Sequence, residues 1–177
     1  ANVGAYINYN SSFGWQVYPG IDAAYQLNSN WKIAGNIGSG QRIPSFTDLK
    51  KKKKPGNVGN PYLQPENAWQ YDAHLHYKKG NFKAKVGYFY RDVNDFIDWV
   101  RDSITVPYSP MNFGRNQIQG IYVQLNQSFV WKSVHKFAYS VSYQYLNPTI
   151  SQKDKFSKYV LESLRHQLIL LFLHLLQ

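Results

Sequence analysis

The stretch Trp69-Gln70-Tyr71-Asp72-Ala73-His74-Leu75-His76-Tyr77 decides the fold of this 177-residue chain. Apolar or aromatic residues occupy its odd positions, and polar residues occupy its even positions. A period of two is typical of a β-strand that has one apolar and one polar face. The same alternation recurs along the chain and predicts eight strands, over residues 2–9, 15–27, 31–39, 67–78, 82–98, 114–130, 134–147 and 164–174.

The connections between these strands are unequal in length. Short polar turns lie at 28–30, 79–81 and 131–134, and longer links lie at 40–67, 99–114 and 148–163, with one further short link near 11–14. From the turn at 28–30 onward, short and long links alternate, and several strands reach the ~9–11 residues that a tilted strand needs to cross a bilayer. We therefore expect an all-β fold, a portion of an antiparallel transmembrane β-barrel with short periplasmic turns and long extracellular loops.

The composition supports a folded β-protein and excludes several other classes. Aromatic residues make up 17% of the chain and charged residues only 17%, which excludes a disordered tail. There is no cysteine, so no thiolate site is available, and no apolar stretch is long enough for a transmembrane helix. The net charge is +10, but five of the 20 basic residues are Lys50–Lys54, so we expect no nucleic-acid partner.

A soluble antiparallel sandwich or barrel would alternate in the same way. Its inner strand faces would have to fill a dry core. Here the polar faces consist of Gln, Asp, His, Lys and Ser residues, which suit a water-filled or plugged lumen better. The membrane barrel is therefore favoured over the soluble alternative.

Two motifs connect the third and fourth predicted strands. They read Gly40-Gln-Arg-Ile-Pro-Ser-Phe-Thr-Asp-Leu49 and Gly59-Asn-Pro-Tyr-Leu-Gln-Pro-Glu-Asn-Ala-Trp69. Their order and spacing resemble the late barrel region of TonB-dependent outer-membrane receptors, in particular the siderophore and vitamin B12 receptors. Phe89-Tyr-Arg-Asp-Val93 resembles the strand that follows in that family.

The resemblance implies a location in the outer membrane of a Gram-negative bacterium and a role in the active uptake of a scarce, bulky nutrient. An iron–siderophore complex, haem or a cobalamin would be the small-molecule metal-chelate ligand. The implied partners are outer-membrane lipid and lipopolysaccharide, and the TonB complex, which acts through a plug domain. No cofactor and no enzymatic activity are implied.

Barrels of the family that the chain resembles have 22 strands. We therefore expect residues 1–177 to be part of a receptor barrel, without the plug domain and the final strands. Residues 168–176 lose the alternation, which departs from the family pattern. The alternative is a complete small eight-stranded outer-membrane barrel that acts as an anchor or adhesin.

The sequence offers site candidates in its loops and on one strand face. The first loop carries three possible ligand contacts, and Lys50–Lys54 would either meet phosphate groups or form a solvated charge run. Carboxylates beside the second long loop are possible Ca²⁺ ligands, and two histidines near an aspartate share one strand face, a weak metal pattern. No catalytic set is recognisable. The candidates are Arg42, Asp48 and Tyr62 for ligand, Asp92, Asp95 and Asp98 for Ca²⁺, and His74 and His76 with Asp72.

Aromatic residues at strand ends suit the interfacial belts of a membrane barrel. The predicted belt residues are Tyr18, Tyr25, Trp31, Trp69, Tyr77, Tyr88, Trp99, Trp131, Tyr139 and Tyr145.

Overall fold

A computed structural model describes residues 1–52, 56–132, 134–150, 156–158 and 164–176. These residues form eleven strands and one short helix. The elements are β1 (Asn2–Asn10), β2 (Gly14–Gln26), β3 (Trp31–Arg42), α1 (Phe46–Lys50), β4 (Glu66–Lys79), β5 (Phe82–Asn94), β6 (Ile97–Arg101), β7 (Ser109–Asn112), β8 (Arg115–Trp131), β9 (His135–Ile150), β10 (Phe156–Ser157) and β11 (His166–Leu176).

Eight long strands form one antiparallel sheet in the order β1-β2-β3-β4-β5-β8-β9-β11. The register places apolar or aromatic residues of neighbouring strands opposite each other, as in the pairs Tyr71↔Tyr90 and Leu75↔Val86. Because the side-chain period is two, this register aligns the apolar positions of neighbouring strands on one face. The eight predicted strands and the antiparallel pairing are confirmed.

The two faces of this sheet differ in chemistry. The apolar face carries residues such as Ile33, Tyr71 and Val123, and large side chains on it are exposed, with Trp15 at 72%. The polar face carries the alternate residues, among them Asp72 and His74. A continuous exposed apolar face marks a surface that meets an apolar environment.

The sheet does not close on itself. β1 pairs only with β2, and β11 pairs only with β9, within the parts of the chain that the structure describes. Both outer edges therefore present unpaired backbone groups, which ordinarily pair with a further strand.

One strand prediction needs correction, and one is confirmed in spite of an irregular pattern. The predicted strand 82–98 ends at Asn94, because Asp95 adopts a left-handed conformation with φ of 55° and turns the chain into a separate strand, β6. The last predicted strand does form, and β11 pairs with β9 along its whole length despite its lost alternation. Backbone pairing with β9 forms this strand, although its side chains do not alternate between apolar and polar.

A small second layer lies at the loop end of the sheet, the end opposite the short turns. We call it the loop cap. It consists of α1 and a three-stranded sheet in the order β10-β6-β7. Its interior, shared with the sheet end, contains the most buried apolar side chains among the described residues, namely Leu63, Val93, Ile97, Trp99, Val100 and Phe113.

For two residues, Trp99 and Tyr18, the predicted place in the aromatic belt is wrong. Trp99 is buried in the loop cap at 7% exposure, and Tyr18 lies on the polar face, where its hydroxyl donates to Gln16 Oε1 at 2.9 Å. At the turn end, by contrast, Trp31 packs on Tyr77 across two strands, with ring centroids 4.7 Å apart. In the described part of the chain, no helix has the length and apolar content to cross a membrane.

Candidate functional site: the loop cap and the polar face

The two loop motifs are joined to each other by an ion pair. Arg42 and Glu66 are the last residue pair between β3 and β4, and their side chains meet at 2.8 Å. Both also hold β6, because Glu66 accepts from the Ile97 backbone N–H at 2.7 Å and Arg42 donates to the Ile97 carbonyl at 3.2 Å. The ion pair therefore fixes the loop cap to the polar face at the loop end of the sheet.

Asp48 organises the first motif from within the cap. Its carboxylate accepts from the backbone N–H and hydroxyl of Ser45, which closes a capping box on α1. The other carboxylate oxygen accepts from the Trp99 indole N–H at 2.9 Å. With only 6% of the residue exposed, Asp48 links α1 to β6 across 51 residues of sequence.

The second motif returns against the first at Gly59. The Gly59 and Asn60 backbone N–H groups donate to the carbonyls of Lys51 and Asp48, at 2.9 and 2.8 Å. A β-carbon at Gly59 would lie only 2.7 Å from the Lys51 backbone nitrogen, so this close approach requires glycine. The Asn60 side chain then donates to the Pro110 carbonyl at 3.0 Å. These contacts explain why the motif needs Gly-Asn at this position.

The pKa values of the two buried carboxylates of the cap, Asp48 and Asp98, shift in opposite directions. Burial raises the pKa of Asp48, but the hydrogen bonds from Ser45 and Trp99 and the charge of Arg42 outweigh it, so its pKa lies below the usual value. For Asp98, which is 4% exposed, burial dominates and raises the pKa. The hydrogen bonds that Asp98 accepts from Ser157 and the Trp99 backbone N–H only partly oppose this effect.

A cleft of about 460 Å³ opens between the cap and the sheet end. Arg42, Lys51 and Lys158 line it together with Trp99, whose ring centroid lies 5.2 Å from Lys51 Nζ and 5.6 Å from Lys158 Nζ. The carboxylates that line the cleft, Asp48 and Asp98, are already hydrogen-bonded within the cap. The lining of this cleft is therefore rich in cationic groups and contains the Trp99 ring.

The three predicted ligand contacts have different environments. Asp48 is buried, and both of its carboxylate oxygens already accept hydrogen bonds within the cap, so its role is to stabilise the cap. Arg42 forms an ion pair with Glu66, although 51% of the Arg42 side-chain surface remains exposed at the cleft. Tyr62 is 85% exposed. Sequence reasoning missed Trp99 and Lys158 as cleft residues, because their approach to Arg42 depends on the tertiary fold of distant loops.

The predicted metal candidates do not gather into a site. Asp92 pairs with Arg115, Asp98 is bonded inside the cap, and Asp95 lies in the turn before β6. Among the described residues, no group of three or more His, Cys, Asp or Glu side chains could hold a metal ion.

The two strand histidines form part of a polar network on the polar face. His74 Nδ1 lies 2.5 Å from Asp72 Oδ1, and the Tyr122 hydroxyl donates to the same carboxylate at 3.0 Å. The His74 and His76 rings meet edge to face, with centroids 4.7 Å apart. The network joins β4 to β8 across β5 and gives the Asp72 carboxylate two hydrogen-bond partners.

An open antiparallel sheet with one apolar exposed face, short turns at one end and a folded loop layer at the other defines part of a membrane-spanning β-barrel. The family model for the TonB dependent receptor-like β-barrel matches residues 1–172. The chain belongs to this family of receptors.

Individual relatives agree with this assignment. The chain is 28% identical over 153 residues to the vitamin B12 transporter BtuB of Photobacterium profundum, covering 82% of this chain and 23% of that protein. It is 26% identical over 100 residues to the iron-regulated outer membrane virulence protein of Vibrio cholerae, covering 53% of this chain and 15% of that protein. The chain thus spans less than a quarter of the length of these relatives.

A solved structure shows the same fold. The siderophore receptor PirA from Pseudomonas aeruginosa superposes with a TM-score of 0.67 at 16% identity, covering 82% of this chain and 28% of that one.

Proposed function

We propose that residues 1–177 are part of the barrel wall of a TonB-coupled outer-membrane receptor that imports a bulky metal chelate. The observation that carries this proposal is the loop cap, in which both loop motifs fold into one layer at the loop end of the sheet. A cationic and aromatic cleft lies beneath that layer. The similarity to a vitamin B12 transporter and to a siderophore receptor supports a cobalamin or an iron–siderophore complex as the ligand.

The partners follow from the same proposal. The exposed apolar face would contact outer-membrane lipid and lipopolysaccharide, whereas the TonB complex would act through a plug domain that residues 1–177 do not include. The unpaired edges of β1 and β11 support a larger barrel over a complete eight-stranded anchor or adhesin. In the proposed receptor, each of these edges pairs with a further barrel strand.

Uptake by cells tests the transport proposal. Cells that carry the full-length receptor should accumulate a radiolabelled cobalamin or a radiolabelled ferric siderophore. Deletion of the gene, or collapse of the proton gradient with a protonophore, should each abolish that accumulation. Uptake that persists in the deletion strain for every chelate tested would contradict the proposal.

Tyr62 provides a direct test of ligand contact at the cap. Because its side chain is 85% exposed and supports no packing, Tyr62→Ala should leave the folded receptor unchanged. If the ring contacts ligand, the variant should weaken chelate binding about tenfold, the loss expected for one aromatic contact of ~1.4 kcal/mol. Phe46→Ala is the matched control, since Phe46 is 79% exposed on the neighbouring helix. Equal affinities for wild type and Tyr62→Ala would remove Tyr62 from the binding site.

A further inference from the structure

A cluster of rings and one ammonium group lies on the apolar face of the sheet, at the turn between β8 and β9. Trp131 of β8 pairs with His135 of β9, and His174 of β11 pairs with Phe137 of β9. Residues opposite each other, or two apart along a strand, share a face, so these four side chains lie on the apolar face. Lys132 in the turn has its Nζ 4.6 Å from the Trp131 ring centroid. We call Trp131, Lys132, His135 and His174 the histidine cluster.

The apolar face around His135 has both of its flanking strands. β9, which carries His135, lies between β8 and β11 in the sheet. A further barrel strand would extend the sheet at its edge and would not cover the apolar face. The lumen lies against the opposite, polar face. The histidine cluster therefore faces the membrane, at the end of the strands where the short periplasmic turns lie.

The two histidines share one hydrogen bond. His135 Nδ1 lies 2.9 Å from His174 Nε2, and the two ring centroids are 5.2 Å apart. If His135 donates, the hydrogen of a neutral His174 is on its Nδ1, and if His174 donates, the hydrogen of a neutral His135 is on its Nε2. Within the described ranges no residue accepts that second hydrogen. In either arrangement the pair therefore has one N–H group available to an external acceptor.

Two further donors lie beside the histidine pair. The Trp131 ring centroid is 5.5 Å from that of His135. In the part of the chain that the structure describes, the Trp131 indole N–H has no acceptor and the Lys132 ammonium group has no ion pair. Hydrocarbon offers no acceptor to such groups, whereas phosphate oxygens at the level of the lipid headgroups do. The donors therefore favour a place for this cluster among headgroups.

The strands that carry the cluster have no negative charge. The sequence contains no Asp or Glu between Asp102 and Asp154, a range that includes β8 and β9, and β11 contains none either. An approaching phosphate group therefore meets the Lys132 ammonium group without repulsion from a carboxylate of these strands.

We propose that the histidine cluster binds the phosphate group of an anionic phospholipid in the periplasmic leaflet of the outer membrane. The imidazole N–H, the indole N–H and the ammonium group donate to the phosphate oxygens. Phe137 stacks on His174 with centroids 4.6 Å apart and contacts Phe129 and Phe172 at 5.2 and 6.0 Å. These rings lead away from the turn and contact the acyl chains. The site rests on the outer-membrane placement in the proposed function and is independent of the transported ligand.

Photocrosslinking of the purified full-length receptor in detergent tests the site. The probe is a phosphatidylglycerol with a photoreactive group next to its phosphate, used below saturation so that labelling follows affinity. We expect label on the 128–138 segment, displaced by unlabelled phosphatidylglycerol and not by diacylglycerol, which has the same acyl chains and no phosphate. His135→Phe/His174→Phe keeps both rings and removes their N–H groups. It should lower this labelling about tenfold, the effect of one hydrogen bond to a charged group.

A second variant and a matched control separate charge at this site from charge elsewhere on the face. Lys132→Asn removes the ammonium group, and asparagine tolerates the left-handed φ of 53° at this position, so labelling of the 128–138 segment should also fall. Lys79→Asn is the matched control, because Lys79 pairs with Phe82 at the neighbouring turn, on the same apolar face. It should leave labelling of the 128–138 segment at the wild-type level. A heat-modifiable band confirms that each variant is folded.

Wild-type labelling in either folded variant of the cluster would overturn the proposal. Displacement by diacylglycerol as effective as that by phosphatidylglycerol would also overturn it, since apolar contact alone would then explain the label. Because crosslinking requires no transport, labelling without chelate uptake would count against the transport function and leave the lipid site intact. Absence of the receptor from outer-membrane fractions would instead refute the placement on which both depend.

Discussion

Replacing Gly120 with alanine is expected to disrupt the pairing of β8 with β9. A β-carbon at this position would overlap the Tyr145 carbonyl oxygen on β9 and lie 2.8 Å from the Phe89 ring on β5. The obstructing oxygen belongs to the backbone, so it cannot move without breaking the strand pair. Overpacking of this kind costs about 3 kcal/mol. We expect a large loss of the heat-modifiable, folded form of the receptor in outer-membrane fractions.

Gly38→Ala is the matched control for this prediction. Gly38 lies on the same polar face, in β3, and a β-carbon there would meet nothing within 4 Å. Since glycine weakens a strand interior, alanine at this position should leave the folded fraction unchanged or slightly raised. If Gly120→Ala folds as well as Gly38→Ala, the register of β8 against β9 is wrong.

The second large effect concerns the two cap carboxylates. Both oxygens of Asp48 accept hydrogen bonds, from Ser45 and from the Trp99 indole, so an amide at this position would turn an N–H toward a donor. We expect Asp48→Asn to destabilise the cap by about 2 kcal/mol. Hydrogen exchange of the 46–52 and 97–101 segments should then accelerate, while exchange in β4 and β8 stays unchanged.

Asp98→Asn is the matched substitution with the opposite expectation. One oxygen of Asp98 accepts from the Trp99 backbone N–H, and the other faces the Ser157 hydroxyl, to which an amide N–H can donate. The change also removes a charge that burial disfavours. Exchange of the cap segments in Asp98→Asn should match or fall below wild type at neutral pH. Faster exchange than in Asp48→Asn would contradict the assigned roles.

The pH dependence of cap stability separates the same two groups. The pKa of Asp48 is lowered from 3.8 in the folded cap, so its stabilisation is complete above about pH 3.8 and is lost as the pH falls through the folded pKa. The pKa of Asp98 is raised from 3.8, so stability is greatest below that value and declines as the pH rises to the folded pKa. Asp48→Asn should remove the acid-side loss, and Asp98→Asn should remove the decline above it.

Most of the main sheet was predictable from the sequence. A strict period of two, as in Phe137–Tyr145, identifies each strand and both of its faces, and short turns such as 79–81 set the order of neighbours. The ends of β4 and β8 fall within a residue or two of the predicted bounds. Local pattern was sufficient here because every neighbour in this part of the sheet is also adjacent or nearly adjacent in sequence.

The loop cap was not predictable in the same way. Its strands are two to five residues long, too short to show a period, and β6 pairs with β10 about 55 residues later in the chain. One local signal was available, since Ser45-x-x-Asp48 has the spacing of a capping box and assigns Asp48 a structural role before any ligand. The contact between Asp48 and Trp99 arises only in the folded chain.

We propose that this chain forms part of the barrel of a larger outer-membrane receptor. An antibody raised against the Gly59–Trp69 peptide, used on outer-membrane fractions with and without boiling, tests it most directly. We predict a heat-modifiable band several times heavier than the 20.6 kDa of this chain. A heat-modifiable band at the size of the chain itself would contradict the claim and favour a complete eight-stranded barrel.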